Sequence, residues 1–271
     1  MKRKLILCSA LALGLVLAAW FAEALCPFDP YEQNFAAALQ PPSWEHWFGT
    51  DRFGRDMLSR VIMGARVSIF SALILVGIIS VTGTAIGVFC GCSRRADAVL
   101  MRLADICLAF PGMVFGLAVA AVLGGGIQNA VLALAAVSWP KYARIARSQT
   151  LAVKNADYIA AARLAGDSFW QVIGRHILPN IAGTILVTAM LDVGTMMMEL
   201  AGFSFLGLGA QPPTADWGSM MSEGRSMLQL YPWVIFTPGI GIVLSVAIFH
   251  LLGETIRDHM DPKNRTGRRR E

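Results

Sequence analysis

Charge is scarce in this chain. Lysine, arginine, aspartate and glutamate make up 15% of its 271 residues, against about 25% in a soluble domain. With 55% of residues hydrophobic, that shortage argues against a water-soluble fold and for a lipid environment. No Gly-x-x-x-x-Gly-Lys-Ser/Thr pattern occurs, so the chain lacks the phosphate cradle of an ATPase. The five cysteines, Cys8, Cys26, Cys90, Cys92 and Cys107, include one Cys-x-Cys but no second pair at zinc spacing. Four of them lie in or beside apolar runs and read as small hydrophobes. The four histidines, His46, His176, His250 and His259, sit on different segments with no His-x-x-x-His among them, so no fixed metal site is expected. No nucleophile–base motif suggests an enzyme. No basic stripe interleaved with exposed aromatics suggests a nucleic-acid partner, despite a net charge of +5. No internal repeat is evident.

What the sequence does have is apolar runs. At roughly 20 residues per span, the chain can cross a bilayer about six times, with no room for a large soluble domain. The expected fold class is all-α: a polytopic membrane protein of about six transmembrane helices. The first run, Leu5 to Ala22, reads as a retained helix, because Trp20 and Phe21 stand where a signal-peptide cleavage site wants small residues. The others run from Val67 to Cys90, Ala104 to Leu123, Ile127 through Val137 and onward, Leu178 to Leu206, and Trp233 to Leu252. Gly124, Gly125 and Gly126 make a turn between the third and fourth. The chain thus divides into a first helix (1–25), an extracytoplasmic loop (26–66) and a five-helix core (67–271).

The basic residues orient this arrangement. With a cytoplasmic N-terminus, 18 of the 23 lysines and arginines fall on inside segments, and only Arg52, Arg55, Arg60, Arg66 and Arg225 fall outside. The positive-inside rule is met in that orientation alone, and an even number of spans puts both termini inside. Trp44, Trp47, Trp217 and Trp233 suit anchoring at the membrane interface.

Two segments carry candidate functional residues. On the inner side, at about 150–177, Ala160, Ala161 and Ala162 favour a helix with a thin surface. Gly166 permits a left-handed turn that ends it. Phe169, Trp170, Val172 and Ile173 are too apolar for a free loop, and Pro179 suits the first turn of the next helix. The expectation is two short helices at an angle, with an apolar face that implies a partner. In the fifth span, Thr184, Thr188, Asp192, Thr195 and Glu199 fall within a stripe of about 80° on a helix of 3.6 residues per turn. A carboxylate in hydrocarbon costs roughly 2.5–3.5 kcal/mol, so two on one helix must face water, another helix or a cargo. A wall of a translocation path is one reading, and hydrogen bonding between helices is the other. Met196, Met197 and Met198 fan around the helix and read as adaptable packing rather than metal ligands. His250, toward the inner end of the last span, is a candidate to face the same path.

The inner segment resembles the coupling motif of ABC importer permeases: Glu-Ala-Ala, three residues, Gly, nine residues, Ile-x-Leu-Pro. Ala160-Ala161-Ala162, Gly166 and Leu178-Pro179 keep its spacing, with Ala160 in place of the Glu and His176 in place of the Ile. Trp47 to Asp56 and on through Ser68, Phe205 to Gly218, and Leu252 to Pro262 resemble the peptide/nickel branch of that family, and its second, C-type permease. The resemblance implies a type I permease fold in a bacterial inner membrane. The chain would do no catalysis and bind no cofactor. Its partners would be a second homologous permease, two cytoplasmic ATPase subunits that carry the ATP, and an extracytoplasmic solute-binding protein. Coupling falls to Ala160, Ala161, Ala162, Gly166, Phe169, Trp170 and Pro179. The run from Leu191 to Met198 with Ala201 to Gly207 is similar to nickel-type members, so the expected cargo is nickel or a metal chelate, with di- or oligopeptides as the alternative. A reading of another class is an ion-coupled carrier, with Asp192 and Glu199 as proton sites.

Overall fold

A computed structural model of the chain describes residues 2–260. The basic tail from Lys263 to Arg270 lies outside the described residues. Among those described there is no strand, only an isolated bridge between Thr50 and Asp56. The main helices are α1 (Lys2–Trp20), α2 (Ala22–Leu25), α3 (Met57–Cys92), α4 (Arg94–Ala109), α5 (Gly112–Val122), α6 (Ile127–Val153), α7 (Asp157–Leu164), α8 (Phe169–Gln171), α9 (Leu178–Phe205), α10 (Trp217–Gly224) and α11 (Trp233–Met260).

Four helical stretches are long and apolar enough to cross a bilayer: α1, α3, the run Phe169–Phe205 that ends in α9, and α11. The third expected span is not straight. α4 and α5 qualify only as a pair, bent by 96°. Pro111 forces the residue before it away from helical dihedrals, and Phe110 is extended at φ −100°, ψ 149°. The fourth is longer than its apolar run. α6 continues past Val137 to Val153, carrying Lys141, Arg144 and Arg147 on its second half. Each of these cations meets a carboxylate: Lys141 with Asp192, Arg144 with Asp105 and Arg147 with Asp97. The charged half of the helix thus faces acidic partners on α4 and α9.

α3 also begins earlier than expected, at Met57, inside the segment read as loop. Asp56 caps it by accepting from the Ser59 N–H at 2.7 Å. Its first turn holds Arg60, only 1% exposed. Together with Arg55 it sits between Asp51 and Glu223. Arg55 Nε lies 2.6 Å from Asp51 and its Nη2 2.8 Å from Glu223. Arg60 donates to the Pro30 carbonyl at 3.1 Å. Asp51, Arg55 and Arg60 with Glu223 thus form a buried clasp between the first loop, the start of α3 and α10. Trp217 belongs to this packing and not to an interface belt. It is buried against Gly64 and Gly241, and its indole N–H donates to the Val61 carbonyl.

The opposite end of the bundle gathers the start of α1, the ends of α3, α6 and α11, and α7. Lys154 donates to the Gly91 carbonyl at 2.8 Å, and Thr255 meets Cys8 at 3.8 Å. Between the two ends, α3 and α6 are the closest pair. Gly83, Gly87 and Gly91 repeat at every fourth residue of α3, the spacing that lets membrane helices approach backbone to backbone. A Cβ on Gly83 would lie 2.6 Å from the Trp139 carbonyl, one on Gly91 2.6 Å from the Thr150 methyl, and one on Gly87 would strike the Ala143 carbonyl. We expect Gly87→Leu to separate α3 from α6 and to destabilise the fold by about 3 kcal/mol, the upper end for overpacking. Thermal unfolding in detergent micelles measures this. An unchanged midpoint would refute the close approach.

Candidate coupling elbow and translocation wall

α7 buries one side chain in the bundle. Ile159 is fully buried and joins Val88, Ala146, Val172, Ile173, Ile177 and Ile181 in a small apolar cluster. On either side of that anchor the helix faces outward: Tyr158, Ala160 and Ala161 are exposed, Ala162 is half-buried, and Leu164 is 91% exposed. The end of α7 is fixed by backbone bonds. The Asp167 N–H reaches the Ala162 carbonyl at 3.1 Å and the Gly166 N–H reaches the Arg163 carbonyl at 3.1 Å. This is the Schellman pattern with a left-handed residue at its centre. Gly166 supplies it, at φ +97°, with open space where a side chain would be. The residue type is set there by the backbone and not by crowding.

After the turn, Ser168 and Gln171 form a reciprocal capping box that starts α8. The expectation of two short helices is corrected here. α8 does not stop: Val172 to Ile177 widens into a π turn and runs on into α9. Pro179 lies just beyond that widened stretch. Its ring would clash with the carbonyl four residues back in a regular helix, and a π turn relieves such a conflict without breaking the helix. Phe169 and Trp170 are exposed on the first turn of this long helix, at 46% and 72%. His176, in the motif's Ile position, pairs with Asp167 at 2.9 Å. That bond ties the base of the turn to the widened helix. Sequence reading named neither Asp167 nor Leu164. The signal for both was position alone, flanking the helix-ending glycine.

On α9 the polar stripe is split. Asp192 is buried, 4% exposed, between Lys141 Nζ at 2.6 Å and the Tyr142 hydroxyl at 2.9 Å. Thr188 donates to the Thr184 carbonyl at 2.8 Å, one turn back in its own helix. Thr195 and Glu199 line a cavity of about 440 Å³ between α5, α9 and α11, with Met113, Met198, Val246 and His250. Met196 and Met197 turn into the core while Met198 faces that cavity. Sequence reading had Lys141 and Tyr142 only as part of the inner loop. The clue was Asp192 itself, since a carboxylate inside a span requires a partner, and Lys141 is the first cation after the fourth apolar run.

Residues 83–266 match the family described as "Binding-protein-dependent transport system inner membrane component". The probable D,D-dipeptide transport system permease protein DdpC of Escherichia coli (strain K12) is 43% identical over 90% of this chain and 82% of its own length. The dipeptide transport system permease protein DppC of Alkalihalophilus pseudofirmus is 41% identical over 92% and 82%. The glutathione transport system permease protein GsiD of Pectobacterium atrosepticum is 39% identical over 92% and 83%. Among solved structures, a chain of the MetNI methionine ABC transporter in inward facing conformations shares the fold, with a TM-score of 0.60 at 18% identity over 76% of this chain and 98% of that one. The chain belongs to the family of binding-protein-dependent transport system inner membrane components: it is a multi-pass, non-enzymatic permease subunit of an ABC importer with the type I permease fold.

Proposed function

We propose that this permease carries peptides and takes its drive at the elbow formed by α7, Gly166 and α8. The elbow is the observation on which the proposal rests. An exposed face of small and aromatic residues hangs from a single buried isoleucine and leads without a break into α9. A patch of that kind needs a cover, and in an importer the chain that burns ATP must be met somewhere. Ala160, Ala161, Leu164, Phe169 and Trp170 are the surface offered to it. Gly166 sets the angle, and Pro179 lies where the elbow enters α9. The ATPase subunits bind the nucleotide. A solute-binding protein meets the opposite end, and a second homologous permease completes the path. We read the elbow end as cytoplasmic, because most of the described lysines and arginines lie toward it. The ends of α1 and α11 that meet through Cys8 and Thr255 share that side.

Nickel, the cargo expected from the likeness of the Leu191–Met198 run, is set aside. The relatives above are named for D,D-dipeptides, dipeptides and glutathione. Among the described residues no three His, Cys, Asp or Glu side chains come together to hold a metal ion. Peptide is therefore the cargo class we propose. The path runs along α9 past Thr195 and Glu199, with Thr184 and Thr188 on the same wall nearer the elbow. Asp192 is a tie between α6 and α9, not a contact for cargo.

Two measurements test these assignments. In vesicles holding the complete transporter, Gly166→Pro should reduce ATP-driven dipeptide uptake to background while membrane insertion is retained, because proline cannot take a positive φ. Uptake at the parent rate would refute the elbow's role. Lys141→Met should destabilise the protein by about 2 kcal/mol, less than the 3–5 kcal/mol of a fully buried pair because Lys141 is half-exposed. Lys141→Met with Asp192→Leu should recover stability and keep uptake. A carrier that protonates Asp192 in each cycle would instead lose uptake in every Asp192 variant.

A further inference from the structure

We propose that Glu199 is the counter-charge for an ammonium group of the cargo as it passes the cavity between α5, α9 and α11. The proposal rests on the reading of α9 as a path wall and names what that wall selects. The cavity, about 440 Å³, falls within the range of small-molecule sites. It holds one carboxylate without a partner. Among the described residues Glu199 makes no hydrogen bond or ion pair. The charges of Asp192 and Lys141 answer each other at 2.6 Å, which leaves the Glu199 carboxyl as the unanswered acid of the cavity lining. His250, across the cavity, is 3.6 Å from Glu254 one turn along its own helix.

A half-buried carboxylate on a membrane helix is costly unless a cation reaches it. Among the described residues none does. A metal ion would need several ligands, and no such group forms among the described residues. A single carboxylate flanked by the Thr195 hydroxyl and two thioethers, Met113 and Met198, suits a different guest. One charge–charge contact holds the ammonium. The flexible, polarisable methionines adapt to whatever side chain accompanies it. An anionic cargo would be repelled at the same place.

Thiol labelling tests this in the complete reconstituted transporter. Thr195→Cys puts a thiol beside Glu199, and the parent protein with its five native cysteines sets the baseline. Methanethiosulfonates bearing a trimethylammonium or a sulfonate group are compared, each rate divided by its rate with a free thiol. The cationic reagent should be favoured on the order of tenfold, as expected of one charge a few ångströms away in a partly screened site. Adding the near-isosteric Glu199→Gln should bring that ratio close to one. A neutral reagent of similar size, reacting equally in both variants, shows that the cavity keeps its shape. If neither charged reagent reaches Thr195→Cys, the path wall itself is wrong. If both react and Glu199→Gln leaves their ratio unchanged, the wall stands and the counter-charge is refuted. That second result is also expected if a cation from the partner permease already occupies Glu199.

Discussion

A charge enclosed in a membrane protein needs an opposite charge, from the protein or from what passes through it, and the pairs this chain makes decide much of which segments are neighbours. Hydrocarbon offers no water to solvate an ion, so each unpaired charge costs several kcal/mol. Along α6, Lys141, Arg144 and Arg147 each meet a carboxylate from another helix. At one end of the bundle, Arg55 and Arg60 are almost fully enclosed between Asp51 and Glu223. These pairs do more than cancel charge. The pairs made with Asp192, Asp105, Asp97 and Glu223 join segments far apart in sequence, so satisfying those charges also fixes which helices are neighbours. Such pairs are weak sources of net stability, because desolvation offsets much of their attraction. Their effect is to exclude wrong arrangements, since any packing that strands one of them is heavily penalised.

Close backbone approach supplies what the ion pairs do not. Between apolar helices in lipid there is little hydrophobic drive, and contact depends on dispersion between surfaces that fit. The glycines of α3 lie against Ala143, Ala146 and Thr150 of α6, where any side chain would collide. The paired α3 and α6 then form the base on which the elbow rests. Val88 of α3 and Ala146 of α6 are the floor into which Ile159 inserts. A long flexible side chain there would give the elbow a loose seat. The packing of small residues within the bundle and the orientation of the docking surface are thus connected through one buried isoleucine.

Much of this was legible in the sequence, and the remainder was hidden for identifiable reasons. Apolar run length located the helices, because lipid thickness imposes it. The glycine that ends α7 was readable because only a left-handed residue closes that backbone pattern. The bend at Phe110–Pro111 was missed because the apolar run continues through the proline, and composition does not register direction. The length of α6 was missed because Lys141 resembles a loop residue until Asp192 is placed beside it. The continuity of α8 into α9 was missed because Pro179 signals a helix start in sequence, whereas a π turn lets it sit within a helix. The stripe on α9 was drawn correctly as an angle, yet an angle does not say which neighbour each residue meets. In every case the missing information was a contact across the fold.

The continuity of the run from Phe169 to Phe205 bears most directly on how the parts could act together. A helix of 37 residues spans about 55 Å at 1.5 Å per residue. Phe169 and Trp170, on the elbow, and Glu199, in the cavity, therefore stand on one rigid rod. On the reading proposed above, a push at the elbow needs no chain of intermediate contacts to reach the path, because it displaces the rod itself. Two features then shape the motion. The π turn at Val172–Ile177 is the place where the rod's hydrogen bonding is irregular, and His176 bonded to Asp167 braces it on the elbow side. The Lys141–Asp192 pair ties the middle of the rod to α6. A rod pushed at one end and tied at its middle tilts more readily than it slides. Tilting about Asp192 moves Glu199, about two turns beyond the tie, opposite to the elbow, whereas sliding would carry both the same way. The contact between α6 and α9 at this point, ionic in the parent and apolar in the paired Lys141→Met and Asp192→Leu variant, is thus what would turn a push at the elbow into a lateral movement of the path wall.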